Sequence, residues 1–413
     1  MNTGWTGGQY SIFRVVFGLY LFVTFARLLP WSAELFSNRG ALADASTNPL
    51  IRLFPNILAL WDSPAVVLAL VTAAAGLAIM FALGLRDRVA AIGMWYVLAC
   101  LLGRNPLISN PSLPLAGWVL LAHALVPPAP YGSLDARGRP DPAGAWAMPK
   151  AIHAMAWVLM ALGYSYSGYT KLLNPSWIDG TALRHVLESP LARPGLLTEA
   201  LLLMPDGILR AVTWGSLAFE LGFAPLALSR RVRPWLWGLM LGMHLGLLAL
   251  IDFADLSLGM IMLHLFTFDP AWVGARDPAA TETVFYDGHC GLCHRAVRFI
   301  LAEDRAGSAF RFAPLQSEEF SARVSAAARS NLPDSLVVLT SEGMLLVRSS
   351  AVLHILGRLG GAWRVLGALG RAVPTGIRDW VYDGIARIRH RLFAAPPDAC
   401  PIVPKHLRER FDA

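Results

Sequence analysis

Charge is sparse from residue 1 to about residue 272, and apolar residues there gather into long runs. They cover 10–29, 65–85, 89–102, 113–126, 151–169, 207–228, 235–251 and 256–268. A helix needs roughly 20 apolar residues to cross a bilayer. The pattern therefore predicts a polytopic α-helical membrane bundle of about eight spans over 1–272. The run 196–204 is apolar but too short to cross, and reads as re-entrant or interfacial. Residues 273–283 are a short polar linker. From 284 to 413 the period changes to strand 283–286, helix 290–303, strand 310–313, helix 318–328, strands 335–339 and 344–347, and helix 350–359. An amphipathic helix over 363–372 and a basic one over 377–393 follow, the latter carrying Arg378, Arg387, Arg389 and Arg391.

The order of elements after residue 283 predicts a C-terminal α/β domain of thioredoxin-like type. Composition sharpens the division. The 413 residues are 55% hydrophobic and 15% charged, where a soluble chain is nearer a quarter charged. The net charge of +7 is placed in tight loops: Arg86 and Arg88; Arg137, Arg139 and Lys150; Arg230, Arg231 and Arg233. With eight spans these fall on one side, which the positive-inside rule makes cytoplasmic. The expected location is a bacterial-type inner membrane, with both termini and the C-terminal domain in the cytoplasm and loops 30–64 and 171–206 opposite. Residues 1–9 lack the basic start of a cleavable signal. No finger spacing or basic–aromatic pattern points to nucleic acid. The expected partners are membrane lipid, contacted by the basic helix if that face is not simply solvated, and a thiol or disulfide of unknown identity.

Chemistry concentrates in VFYDGHCGLCHRAVRFIL. An apolar strand turns at Asp287-Gly288-His289 and meets Cys290 and Cys293 at the start of a helix. A cysteine at a helix N-terminus lies over free N–H groups that favour thiolate and lower its pKa. Cys290 is then the attacking thiol and Cys293, one turn on, the resolving one, so the pair forms a redox-active disulfide. His289 adjoins the thiol as a stabiliser of thiolate. Asp287 tunes the pair or caps the turn. Pro333 is the candidate for the cis-proline that faces the sulfurs in thioredoxin-like folds, its alternative being an ordinary loop proline. No metal is assigned, although Cys400, His289 and His294 leave zinc open. Cys100, in an apolar run, reads as packing.

FYDGHCGLCHRAVRFIL, FRFAPLQS, RSSAVLHILGRLGGAWR and IRDWVYDGIARIRHRLF with the late Cys400-Pro401 together resemble the DCC family of thiol-disulfide oxidoreductase-like proteins over about 282–411. The resemblance implies a thioredoxin-like fold and dithiol chemistry.

Ionisable residues at membrane depth are functional candidates by default. They include Arg14, His123, His153, Lys171, Glu220, His244 and His264. Lys171 closes the fifth apolar run in YSYSGYTKLLNPSWIDG, where Gly163 and Gly168 permit close helix approach and three tyrosines offer polar tips. A lysine in apolar surroundings can act as a base; an interfacial lysine that snorkels is the alternative. Arg14 is expected to pair with Glu220. SGYTKLLNPSWIDG and the Arg14–Leu19 segment resemble the HTTM family, which includes the vitamin K-dependent γ-carboxylase. The resemblance implies that Lys171 deprotonates a hydroquinone, with His244, Arg14 and Glu220 beside a vitamin K-like quinone. No counterpart of the carboxylase's large lumenal domain is present. The function expected is a membrane-bound redox protein. One alternative is a carboxylase-like modifier of a small peptide or lipid. The other is a non-enzymatic membrane anchor for a thiol-binding module.

Overall fold

The computed structural model describes residues 4–108, 110–136, 146–277, 280–393 and 405–412. Arg137, Arg139 and Cys400 lie outside them. The N-terminal part is helical: α1 (Gly7–Leu28), α2 (Pro64–Leu83), α3 (Asp87–Arg104), α4 (Ser112–Leu125), α5 (Lys150–Lys171), α6 (Asp206–Ala227), α7 (Arg233–Leu250) and α8 (Ala254–Thr267). Short helices Ala182–Glu188 and Leu196–Leu202 fill the segment between α5 and α6.

Each expected apolar run lies in one of these helices, but the expected count of about eight spans is corrected. Among the described residues only Gly7–Phe36 and Pro64–Leu83 are long and apolar enough to cross a membrane alone, and α4 and α8 are apolar but only 14 residues each. Polar insertions lower the rest: α6 carries Asp206, Arg210 and Glu220, and α5 carries Lys150, His153 and Lys171.

Packing centres on α8, which touches α1, α4, α5 and α7 and buries Met260, Leu263, His264, Phe266 and Thr267. Leu19, Val23, Leu162 and Leu245 face outward, while Arg14, Glu220, His244 and His264 face inward. That polarity is the reverse of a water-soluble bundle. Gly168 lets α5 and α6 approach, since a Cβ there would stand 2.7 Å from the Leu221 nitrogen. Gly163 meets nothing within 4 Å, so the expected close approach belongs to Gly168 alone. The last carbonyls of α8, left without helical donors, are taken by tryptophans. Trp237 Nε1 donates to His264 O at 2.7 Å, Trp157 Nε1 to Thr267 O at 3.0 Å and Trp5 Nε1 to Phe268 O at 2.7 Å.

The C-terminal part is a small α/β domain: β1 (Glu282–Tyr286), α9 (Gly291–Glu303), β2 (Phe310–Pro314), β3 (Val337–Leu339), β4 (Leu345–Val347), α10 (Arg348–Leu359), α11 (Gly361–Ala372) and α12 (Thr375–Leu392). The sheet order is β2-β1-β3-β4. β1 pairs parallel with β2, and antiparallel with β3 in the register Val284 to Val338. Every β1 residue is buried because both faces are covered. Val284 and Tyr286 pack with Val297, Ile300 and Ile355; Phe285 packs with Phe320 and Val337. The expected helix 318–328 is two short ones, Glu318–Arg323 and Ala326–Ser330. The chain end runs beside β2, with Phe312 N–H donating to Arg410 O at 2.9 Å.

The two parts meet at the start of α1. Buried Glu303, which ends α9, accepts the Gly8 N–H at 3.0 Å and also bonds the Thr6 hydroxyl and the Trp363 indole N–H. Burial pushes its carboxyl above the usual range, and those three donors oppose the shift. Arg358 pins residues 276–280 through the carbonyls of Arg276, Asp277 and Ala280. Helix α9 is therefore a strut, with the cysteines at one end and the first turn of α1 at the other. Glu303→Ala strands buried donors, each costing about 1–3 kcal/mol. The expected result is much faster proteolysis between residues 273 and 281; an unchanged rate would show that the clasp holds nothing.

Candidate functional site

Asp287 shapes the turn into the cysteine motif. Its Oδ1 accepts the His289 N–H at 3.0 Å, an Asx turn. Gln316 braces it, donating to Asp287 Oδ1 at 3.2 Å while accepting the Gly288 N–H at 3.1 Å. The chain then enters α9 with Cys290 as N-cap, its Sγ accepting the Cys293 N–H at 3.4 Å. This supplies one of the N–H groups a helix start leaves free. Both cysteines are free thiols and both are buried, Cys290 completely. Burial, followed by the neighbouring Cys290, pushes the Cys293 thiol up to about 12. Cys293 is therefore held protonated while Cys290 faces the helix N-terminus.

The roof over the pair is α12. The basic helix was expected to be a solvated or lipid-facing surface, yet Arg389 is only 3% exposed. Its guanidinium donates to Asp334 Oδ1 at 2.6 Å and stands 3.6 Å from Asp287 Oδ2. Burial opposes its charge, but Asp334 and the cysteine pair outweigh that and hold it protonated. Tyr382, two turns earlier, accepts the Leu336 N–H at 3.1 Å. Burial and Cys293 push its phenol up. Tyr382 and Arg389 were missed as site residues. The available signal was their seven-residue spacing, which puts them on one face of α12, opposite Ile377, Trp380 and Ile388. Arg389→Gln is expected to slow disulfide exchange at neutral pH about tenfold, by removing a cation that acts on both sulfurs. Stopped-flow exchange with a chromogenic disulfide checks this, and an unchanged rate would remove Arg389 from the site.

Two expected supports are placed differently. Pro333 does not carry the expected cis bond, as no cis peptide occurs among the described residues. His289 is exposed and is held through its backbone, whereas buried His294 anchors the turn through Nε2 to Gly288 O at 2.9 Å. Among the described residues no three His, Cys, Asp or Glu side chains form a metal cluster.

In the helical part, Lys171 Nζ lies 2.5 Å from Glu220 Oε1 and 4.3 Å from the centre of the Trp177 ring. Its surroundings are thus a carboxylate and a ring face, not the apolar shell expected. Glu220 is 3% exposed. One and two turns back along α5 from Lys171 come Gly168 and Tyr164. The Tyr164 hydroxyl sits between His264 Nε2 at 2.7 Å and His244 Nε2 at 2.8 Å. A hydroxyl has one hydrogen to donate. With neutral rings, one Nε2 accepts from Tyr164 and the other donates to it, leaving one Nδ1 as a donor and the other as an acceptor. Both Nδ1 atoms, and Glu220 Oε2, are buried without a hydrogen-bond partner among the described residues. The structure thus brings Lys171, Glu220 and His244 into one region and adds Tyr164 and His264.

It does not bring Arg14. The expected Arg14–Glu220 pair is corrected: Arg14 lies 3.4 Å from Asp87 and donates to Gly132 O, in a separate group with His123 and Tyr10. Arg14 sits two turns into α1, where packing against α2 presents the Asp87 turn; Glu220 lies on α6 and packs on α5.

The HTTM domain profile matches residues 6–272, and the DCC1-like thiol-disulfide oxidoreductase profile matches residues 284–395. Uncharacterized protein YuxK of Bacillus subtilis is 34% identical over 134 residues, covering 32% of this chain and 93% of YuxK. A chloroplastic DCC family protein of Arabidopsis thaliana is 30% identical over 119 residues, covering 29% of this chain and 68% of that protein. No solved structure matches.

Proposed function

We propose, for a chain that belongs to the HTTM domain family and carries a DCC1-like thiol-disulfide oxidoreductase domain, that its activity is dithiol–disulfide exchange at a membrane. The observation that carries this is Cys290 capping α9, with the Cys293 N–H on its sulfur and Arg389 over the pair. The βαβ-then-ββα order of the domain supports a thioredoxin-like reading. In the forward step the Cys290 thiolate attacks one sulfur of a partner disulfide. A mixed disulfide forms and the partner's other sulfur leaves as thiolate. Cys293 then loses its proton and attacks Cys290 Sγ. The intramolecular disulfide closes, and the partner departs with two electrons and both sulfurs reduced. The test is peptide mapping of the full chain in detergent after exposure to oxidised glutathione. A Cys290–Cys293 disulfide is expected, and glutathione adducts without that disulfide would sink the proposal.

The basic loops favour a cytoplasmic dithiol domain. Green fluorescent protein fused after residue 413 is expected to fluoresce, and alkaline phosphatase at the same position to be silent. The reverse pattern would move the cysteines to an oxidising compartment.

A second reading is favoured by three of the unpartnered atoms in the helical part. Glu220 Oε2, His244 Nδ1 and His264 Nδ1 form a mixed donor and acceptor set that suits a hydroquinone or quinone. When bound, a hydroquinone would supply two electrons and two protons, and a quinone would take up the same. Lys171 and Glu220 would take a hydroxyl proton, with Glu220 Oε2 as the open acceptor and Lys171 Nζ holding Oε1. His244 and His264 would hold the ring oxygens, and Tyr164 keeps both rings oriented. Lys171 ends α5, about 27 Å along the helix from His153 near its start, and His153 faces Phe268 O at the dithiol end. This separation favours two sites that work separately.

A further inference from the structure

Helices α11 and α12 expose large apolar side chains that no described residue covers. Leu369, Ile377, Trp380, Val381, Ile385 and Ile388 are 45–72% exposed. Val373 and Pro374, in the turn between the helices, are exposed as well. The charge on this surface is of one sign. Arg364, Arg371, Arg387 and Arg391 are exposed. The only acids between residues 361 and 393 are Asp379 and Asp383. Both are occupied at the domain, Asp379 by Ser349 and Asp383 by Arg348 at 3.2 Å. A second copy docking through this face would set arginine against arginine.

The place of the hairpin matters equally. Gly361 N–H donates to Val273 O at 2.7 Å and Ala362 N–H to Gln9 Oε1 at 3.0 Å. Helix α11 therefore starts at the first turn of α1, beside the tryptophans that cap α8. Helix α1 is long and apolar enough to cross a membrane, and the end of a crossing helix lies at headgroup depth. An amphipathic helix at that depth, apolar on one face with arginines at its edges, has the composition of an interfacial element.

We propose that the α11–α12 hairpin lies in the membrane interface, its apolar face among lipid and its arginines against anionic headgroups. The same α12 carries Tyr382 and Arg389 on its inner face, so the dithiol is enclosed between its domain and a helix seated on the bilayer. This inference rests on residues 1–272 being membrane-embedded.

The test uses the full chain in vesicles, with benzoylphenylalanine in place of Leu19, Glu342, Trp380 or Ile385, one at a time. Leu19 is an outward position on α1, and Glu342 lies on the exposed turn before β4. Vesicles are phosphatidylcholine alone or with a minority of phosphatidylglycerol. After illumination, phospholipid adducts are expected at 19, 380 and 385 and not at 342. Adducts at 380 and 385 should rise several-fold with phosphatidylglycerol and fall several-fold in R387E/R391E. Adducts at 19 without any at 380 and 385, or cross-links from 380 to a second chain, would overturn the proposal. No lipid adduct at 19 would instead remove the membrane reading on which it stands.

Discussion

Cys290→Ser is expected to abolish disulfide exchange, and Cys293→Ser to arrest it at the mixed disulfide. The asymmetry does not come from access, since Cys290 is the more buried of the two. It comes from charge. Cys293, pushed up to about 12 by burial and by Cys290, is held protonated at neutral pH. Part of that shift is caused by Cys290 itself. Once Cys290 is bound in a mixed disulfide its charge is gone, and Cys293 becomes easier to deprotonate as its turn comes. The wild-type chain should therefore release two partner thiols, the second following the first without a stable intermediate. Cys293→Ser should release one and retain the other on Cys290, and Cys290→Ser should release none. A second pH-dependent signal follows. In the reduced chain, alkylation of Cys293 should rise with pH toward 12, and its midpoint should drop when Cys290 is blocked. Mass spectrometry of peptides trapped with iodoacetamide reads all of these. A stable adduct on Cys293 in the wild type would reverse the roles.

Removing Lys171 is the second change with a large expected effect. Lys171→Met leaves the buried Glu220 carboxylate opposite an apolar side chain and should destabilise the helical part by about 3 kcal/mol, the cost of breaking a buried pair from one side. The double variant Lys171→Met/Glu220→Gln should recover most of that loss. If the pair only holds α5 to α6, recovery of stability is the whole story. If it also takes a proton from a hydroquinone, the double variant should fold and yet bind a short-chain naphthohydroquinone at least tenfold more weakly, with no hydroquinone-dependent oxygen uptake. Lys171→Arg separates the readings again. Its guanidinium keeps the charge and can reach Glu220, but it stays protonated and cannot accept a proton. Unfolding in detergent, ligand binding and oxygen uptake are measured on the same preparations. Full turnover in the arginine variant would reduce Lys171 to an anchoring residue.

The cysteine site was largely legible because its parts are local. Strand, Asx turn, N-cap and helix fall within some twenty consecutive residues, and apart from Gln316 the side chains that shape the turn reach no further than six positions. The order of elements along the domain followed from the same short-range periodicities. The roof was not legible. Arg389 lies 96 positions after Cys293, and periodicity could say only that it shared a face with Tyr382. It could not say that this face, and not the apolar one, turns inward. At Pro333 a proline before a strand is visible in the sequence, but the isomer of its peptide bond, trans here, is not.

In the helical part the sequence alone determined which segments are helices, that they are apolar outside, and which polar residues lie at depth. It determined this because hydropathy and helical period are properties of each segment by itself. Only the tertiary structure decided the partners. Arg14 and Lys171 each carry one positive charge in an apolar run, and nothing in either run distinguishes Glu220 from Asp87 as its counterion. The choice was made by α1 packing on α2 and α5 on α6, where a Cβ on Gly168 would stand only 2.7 Å from the Leu221 nitrogen. Coulomb attraction in a low-dielectric bundle is strong, but an unpaired charge there is costly, so each charge is neutralised by the partner that packing brings to it.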